Sequence, residues 1–160
     1  MTDFHALIRL LTENKVEFIV VGGAAATAHG SARLTLVLDV VYRRTSENIA
    51  RLVSALHSLD PYLRGAPLGL PFDWSEKTIR NGLNFTLTTK LGALDLLGEV
   101  TGGGDYDALL PYTVRLHVAG VECLCLGLRR LIEVKRAAGR PKDFDAIAEL
   151  EVIEEEHSRQ

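Results

Sequence analysis

Apolar residues along this chain recur in two periods, and the changes of period mark its elements. Phe4, Leu7, Ile8 and Leu11 fall on one helical stripe, which predicts a first helix from Asp3 to Asn14 with Thr2 or Asp3 as its cap. Phe18–Val21 and Leu36–Tyr42 are short β-branched runs and read as buried strands. Between them lie Gly22-Gly23, expected as a turn, and the alanine-rich stretch Ala24–His29, expected as a short helix. Thr45-Ser46-Glu47 opens a helix carrying Ile49, Leu52, Val53 and Leu56 at helical spacing, and Asp60-Pro61 ends it.

The second half alternates more than it winds. Pro61 to Arg80 has the composition of a loop, anchored by Phe72 and Trp74. Asn84–Thr89 alternates with Phe85, Leu87 and Thr89 on one face. With Ala93–Leu97 it forms an expected hairpin across Lys90-Leu91-Gly92. Gly102-Gly103-Gly104 reads as a flexible loop, and Asp105–Leu110 as one or two helical turns. Thr113–Val118 and Val121–Leu126 form a second hairpin. Leu128–Ala138 is a helix closed by Gly139, and Pro141–Glu156 is the last helix, so the chain ends in helices over residues 128–156. No repeat or linker interrupts residues 1–160, which read as a single α/β domain.

Composition narrows the function classes. With 160 residues, 47% apolar and 24% charged, the chain has the make-up of a globular protein with a real core. A net charge of −3 gives no general attraction to nucleic acid. No apolar run reaches the length of a membrane span, and Met1-Thr-Asp-Phe-His lacks the start of a secretory signal. Cys123 and Cys125, two apart in a strand, share a face and are expected as small buried apolar residues. A cytoplasmic setting and no membrane partner are therefore expected.

Two acids stand where acids are costly. Asp39 interrupts one apolar strand and Asp95 another, and a buried carboxylate needs a partner or a cation. Gly22-Gly23 ahead of a helix offers backbone N–H groups to phosphate oxygens. Lys135, Arg140 and Lys142 gather around the break at Gly139. Asp143 is placed to pair with Arg140 or Lys142. Arg43 and Arg44 are expected to be solvated, as is the acidic run Glu149 to Glu156.

The order of an apolar strand, Gly22-Gly23, a short helix, Arg33-x-Thr35, an acid-bearing strand and Asp95 resembles the nucleotidyltransferase (DNA polymerase β-like) superfamily. The ending Lys135-x-x-Ala-Gly139-Arg140-Pro-Lys142-Asp143 resembles its small prokaryotic members, including the abortive-infection-type toxin nucleotidyltransferases. The resemblance implies a mixed β-sheet with flanking helices. It implies transfer of a nucleotide from an NTP to a hydroxyl, with Mg2+ as the expected metal. Asp39 and Asp95 are then the catalytic and metal-binding acids. Gly22, Gly23, Arg33, Thr35 and Lys135 are the nucleotide-binding residues.

The acceptor, whether tRNA, a protein or a small molecule, is not selected by any motif. One residue departs from the pattern. The superfamily carries Asp-x-Asp on the second strand, and here Asp39 follows Val37. A valine binds no metal, so the resemblance implies either a weakened transferase or an inactive nucleotide-binding protein, such as a partner in a toxin–antitoxin pair. Natural divergence is the favoured origin of Val37, because an introduced change would more often be Ala or Asn.

Overall fold

The computed structural model describes residues 1–159, which fold around one seven-stranded mixed sheet. In chain order the elements are α1 (Phe4–Glu13), β1 (Phe18–Val21), α2 (Gly22–Ala28), β2 (Val37–Tyr42), α3 (Ser46–Leu56), β3 (Tyr62–Leu63), α4 (Glu76–Asn81), β4 (Phe85–Thr89) and β5 (Gly92–Leu97). There follow β6 (Glu99–Val100), β7 (Gly104–Asp105), α5 (Tyr106–Leu109), β8 (Thr113–Val118), β9 (Val121–Leu126), α6 (Leu128–Ala138) and α7 (Phe144–Ser158). The large sheet runs β3-β4-β5-β2-β1-β9-β8, with β6 and β7 forming a separate ribbon. The β2–β5 and β1–β9 pairs are parallel, and the others are antiparallel.

Position in the sheet follows from residue pattern. All four residues of β1 are buried, as a central strand covered on both faces requires. The alternation in β4 buries Phe85, Leu87 and Thr89 and exposes Thr86 and Thr88. Helix α1 buries Leu7, Ile8 and Leu11, with the Asp3 side chain capping it through the Ala6 N–H. Helix α2 lies against β1, β2 and β8 and reaches α6, which packs on α7. Cys123 and Cys125 are buried free thiols, and burial pushes them up to about 11 and about 12. Among the described residues, no helix is long and apolar enough to cross a membrane.

Several expectations are corrected. The stretch expected as a loop contains β3, an edge strand paired with β4, and α4, capped by Ser75 and buried through Ile79 alone. Neither is long enough to show a period. The glycine run at 102–104 is the tight turn of the β6–β7 ribbon rather than a flexible loop. Helix α2 begins at Gly22, and a 3-10 turn at Pro141–Asp143 precedes α7.

Arg43 and Arg44 are not simply solvated. Arg43 bridges Glu17 and Asp107, while Arg44 donates to the carbonyls of Ile79 and Arg80. The acidic run also does structural work: Glu151 pairs with Arg136 at 2.7 Å and Glu154 with Arg129 at 3.1 Å, tying α7 to α6. Trp74 does act as the expected anchor, donating from Nε1 to the Val53 carbonyl at 2.9 Å.

Asn48, 1% exposed, joins α3 to the start of β1. Its Oδ1 accepts from the Glu17 N–H at 2.6 Å, and its Nδ2 donates to the carbonyls of Glu17 and Arg43 at 2.9 and 2.8 Å. Asn48→Ala strands these buried groups. It is expected to cost on the order of 3 kcal/mol in a denaturant unfolding experiment, whereas an exposed change such as Glu47→Ala is expected to leave stability almost untouched.

Candidate functional site

Strands β2 and β5 run parallel with Asp39 directly beside Asp95 and Val37 beside Ala93. Side chains two apart share a face of the sheet, so Val37 and Asp39 look the same way. Val37, Asp39 and Asp95 line one cavity of about 400 Å³, and Gly23 lines it from α2.

The two glycines permit this closeness. Gly22 has φ +64°, and a Cβ there would stand 2.2 Å from Asp39 Oδ2. A Cβ on Gly23 would stand 2.7 Å from the Thr35 side chain. The first turn of α2 is thus wedged between an acid and a threonine, and neither glycine admits a side chain. Thr35 lines the cavity, but its hydroxyl donates to the Val37 carbonyl at 3.1 Å, fixing the start of β2.

The two acids have different neighbours. Burial, then the neighbouring Asp95 carboxylate and the hydrogen bond with it, push Asp39 up from 3.8 to about 7, against the opposing pull of Lys135 and Arg64. Asp95 is gripped by Arg64, whose Nη2 lies 2.6 Å from Oδ1. Arg64 Nη1 donates to the Leu87 carbonyl at 2.9 Å. Sequence reading missed Arg64, because it follows a two-residue strand inside a stretch of loop composition.

Cations close the other wall. Gly139, at φ +66°, reverses the chain after α6 and carries Arg140 and Lys142 to the rim of the cavity. Arg140 Nε pairs with buried Asp143 at 2.8 Å. Arg33, Lys135 and Lys142 also line the cavity, and among the described residues none of the three forms an ion pair.

The loop bearing Arg33 is tied to α7. Glu149 accepts from the Ser31 hydroxyl at 2.5 Å and the Ala32 N–H at 3.2 Å, and the first of these bonds draws its carboxyl below the usual range. His29 stays outside the cavity: its Nε2 donates to the Leu126 carbonyl at 2.8 Å.

A second cavity, of about 390 Å³, shares Asp39, Lys135 and Arg140 with the first. Its remaining walls carry Asn84, Glu99 and Thr101 above apolar side chains of Val100 and Leu131. An apolar cavity of about 410 Å³ near Phe4 and His117 contains neither Asp39 nor Asp95. No group of three His, Cys, Asp or Glu side chains gathers at metal-binding distance among the described residues. Two carboxylates, one of them already gripped by a guanidinium, do not fit a resident two-metal centre.

No family model and no curated protein matches the sequence. Solved structures do. A lincosamide antibiotic adenylyltransferase, LnuA, in its lincomycin-bound form, aligns with a TM-score of 0.62 at 11% identity, over 93% of this chain and 94% of that one. ANT(2'')-Ia in complex with adenylyl-2''-tobramycin aligns with a TM-score of 0.60 at 13% identity, over 91% and 83%. The chain has the nucleotidyltransferase fold, and at these identities the likeness is one of fold alone.

The raised Asp39 carboxyl has a consequence for stability. Between pH 3.8 and about 7 the folded chain keeps a proton there that the unfolded chain has lost. Stability from this group is full below pH 3.8 and falls as pH rises through about 7, with a slope of up to about 1.4 kcal/mol per pH unit. Thermal melts from pH 4 to 7.5 are expected to show that fall in the wild type and to show it flattened in Asp39→Asn.

Proposed function

We propose that this chain binds a nucleoside triphosphate in the cavity between α2, β2, β5 and the α6–α7 corner, and that Val37 holds back nucleotide transfer. The observation that carries the reading is a single juxtaposition. The neighbouring acids Asp39 and Asp95 share a cavity with Gly23 and with three cations, Arg33, Lys135 and Lys142, that form no ion pair among the described residues. A polyanion satisfies those cations, and the triphosphate is the polyanion that a transferase of this fold takes. Gly23 brings the backbone of α2 into the wall of this cavity, Gly22 lies in the wall of the neighbouring one, and Thr35 lines the first beside Gly23.

The expected donor is ATP, since LnuA is an adenylyltransferase and ANT(2'')-Ia holds adenylyl-2''-tobramycin. The second cavity supports a small-molecule acceptor over tRNA or a protein. Its volume suits a compact ligand, and Glu99 suits an amine-bearing one. Asp39 and Lys135 line both cavities, so a hydroxyl seated in the second meets the phosphates of the first.

In the transfer step the acceptor oxygen bonds to the α-phosphorus and its proton passes to Asp39. The bond to the bridging oxygen breaks and pyrophosphate leaves. Asp39 lines both cavities and so stands beside that oxygen. Mg2+, the expected metal, would serve the transfer step rather than binding, by neutralising charge on the phosphates, and on β2 only Asp39 would be present to hold it, since Val37 supplies no ligand.

Transfer of label from the α-phosphate of ATP to a panel of amino-sugar and lincosamide hydroxyls tests this. Val37→Asp is expected to raise Mg2+-dependent labelling at least about tenfold over the wild type. Lys135→Ala is expected to weaken ATP binding about tenfold or more. Binding without labelling in either form would mark a purely nucleotide-binding protein, and no binding at all would overturn the reading.

A further inference from the structure

Arg64 sits where a cation would be expected to sit. Its guanidinium Nη2 is 2.6 Å from Asp95 Oδ1, and a guanidinium does not give up its proton at any physiological pH. The side chain is also tethered: Nη1 donates to the Leu87 carbonyl at 2.9 Å, and the Arg64 N–H donates to the Thr86 carbonyl at 2.9 Å. The loop that follows is pinned in turn. The Phe72 ring meets Tyr62 edge-on with centroids 6.2 Å apart, and Trp74 bonds to α3. Arg64 therefore belongs to the sheet edge, and moving it off Asp95 breaks an ordered set of bonds. Lys135 supplies a second positive charge near Asp39.

We propose that Arg64 stands in for a divalent cation at Asp95, so that the cleft excludes free metal there and takes a triphosphate without one. The metal half of this inference concerns Asp95 and Arg64 alone; the triphosphate half rests on the nucleotide reading above. A cation competing for Asp95 has to displace a charge-assisted hydrogen bond, which weakens its binding about tenfold or more. A triphosphate entering the cavity meets Arg33, Lys135 and Lys142 already charged, with Asp95 already neutralised.

The full-length chain is titrated with Mn2+ alone and followed by electron paramagnetic resonance. The wild type is expected to bind Mn2+ at least about tenfold more weakly than Arg64→Gln. Arg64→Lys, which cannot reach Asp95 and the Leu87 carbonyl with one fork, is expected to fall between them and carries the test if Arg64→Gln fails to melt cooperatively. Equal Mn2+ affinity in wild type and variants overturns the metal half.

In parallel, anisotropy of a fluorescent ATP analogue is measured with EDTA and with Mg2+. The wild-type affinities are expected to agree within about threefold, and a loss of more than about tenfold in EDTA overturns the triphosphate half. No analogue binding in either buffer, with the Mn2+ result as expected, sinks the nucleotide reading and leaves the Asp95 assignment standing.

Discussion

Two carboxylates in register on adjacent parallel strands repel each other, and everything around Asp39 and Asp95 answers that repulsion. One charge is met by Arg64 at 2.6 Å. The other is lessened because burial and its neighbour push Asp39 up to about 7. Lys135 adds a third correction from the far wall. A pair of this kind costs the fold stability, which points to a use, because apolar residues at both positions would pack the same strands at no electrostatic cost.

The rest of the architecture brings the compensating groups within reach. Gly22 lets α2 press onto Asp39 where any side chain would strike the carboxylate. The left-handed turn at Gly139 folds α7 back on α6 and places Arg140 and Lys142 at the rim. That corner is fastened through Glu151 to Arg136, Glu154 to Arg129, and Glu149 to the loop at Ser31 and Ala32. Most of the acidic run is exposed as expected, and Glu149, Glu151 and Glu154 also reach partners on the neighbouring loop and helix.

Much of this was legible in the amino-acid order, and the limits follow from physics. Long periodic segments such as α1, α3 and α6 declare themselves, because each buries one stripe. Asp39 and Asp95 stand out because a carboxylate inside an apolar run has a cost that invites explanation. Val37 is conspicuous only against the Asp-x-Asp pattern of the superfamily that the chain resembles. Elements of two to six residues, β3 and α4, leave no period to read. Arg64 was invisible because its role comes from a pairing with β4, more than twenty residues away. Arg43 and Arg44 were misread for the same reason, since their partners come from distant segments. Local pattern reports the face a residue shows, whereas long-range registry decides what it touches.

The use of the acid pair turns on where a triphosphate settles. The most direct measurement is a two-dimensional amide NMR titration of the full chain with ATP. Perturbations are expected to gather on Gly22, Gly23, Asp39, Asp95 and the Lys135–Lys142 corner. Shifts confined to the apolar cavity around Phe4 and His117, or no shifts at millimolar ATP, would contradict it.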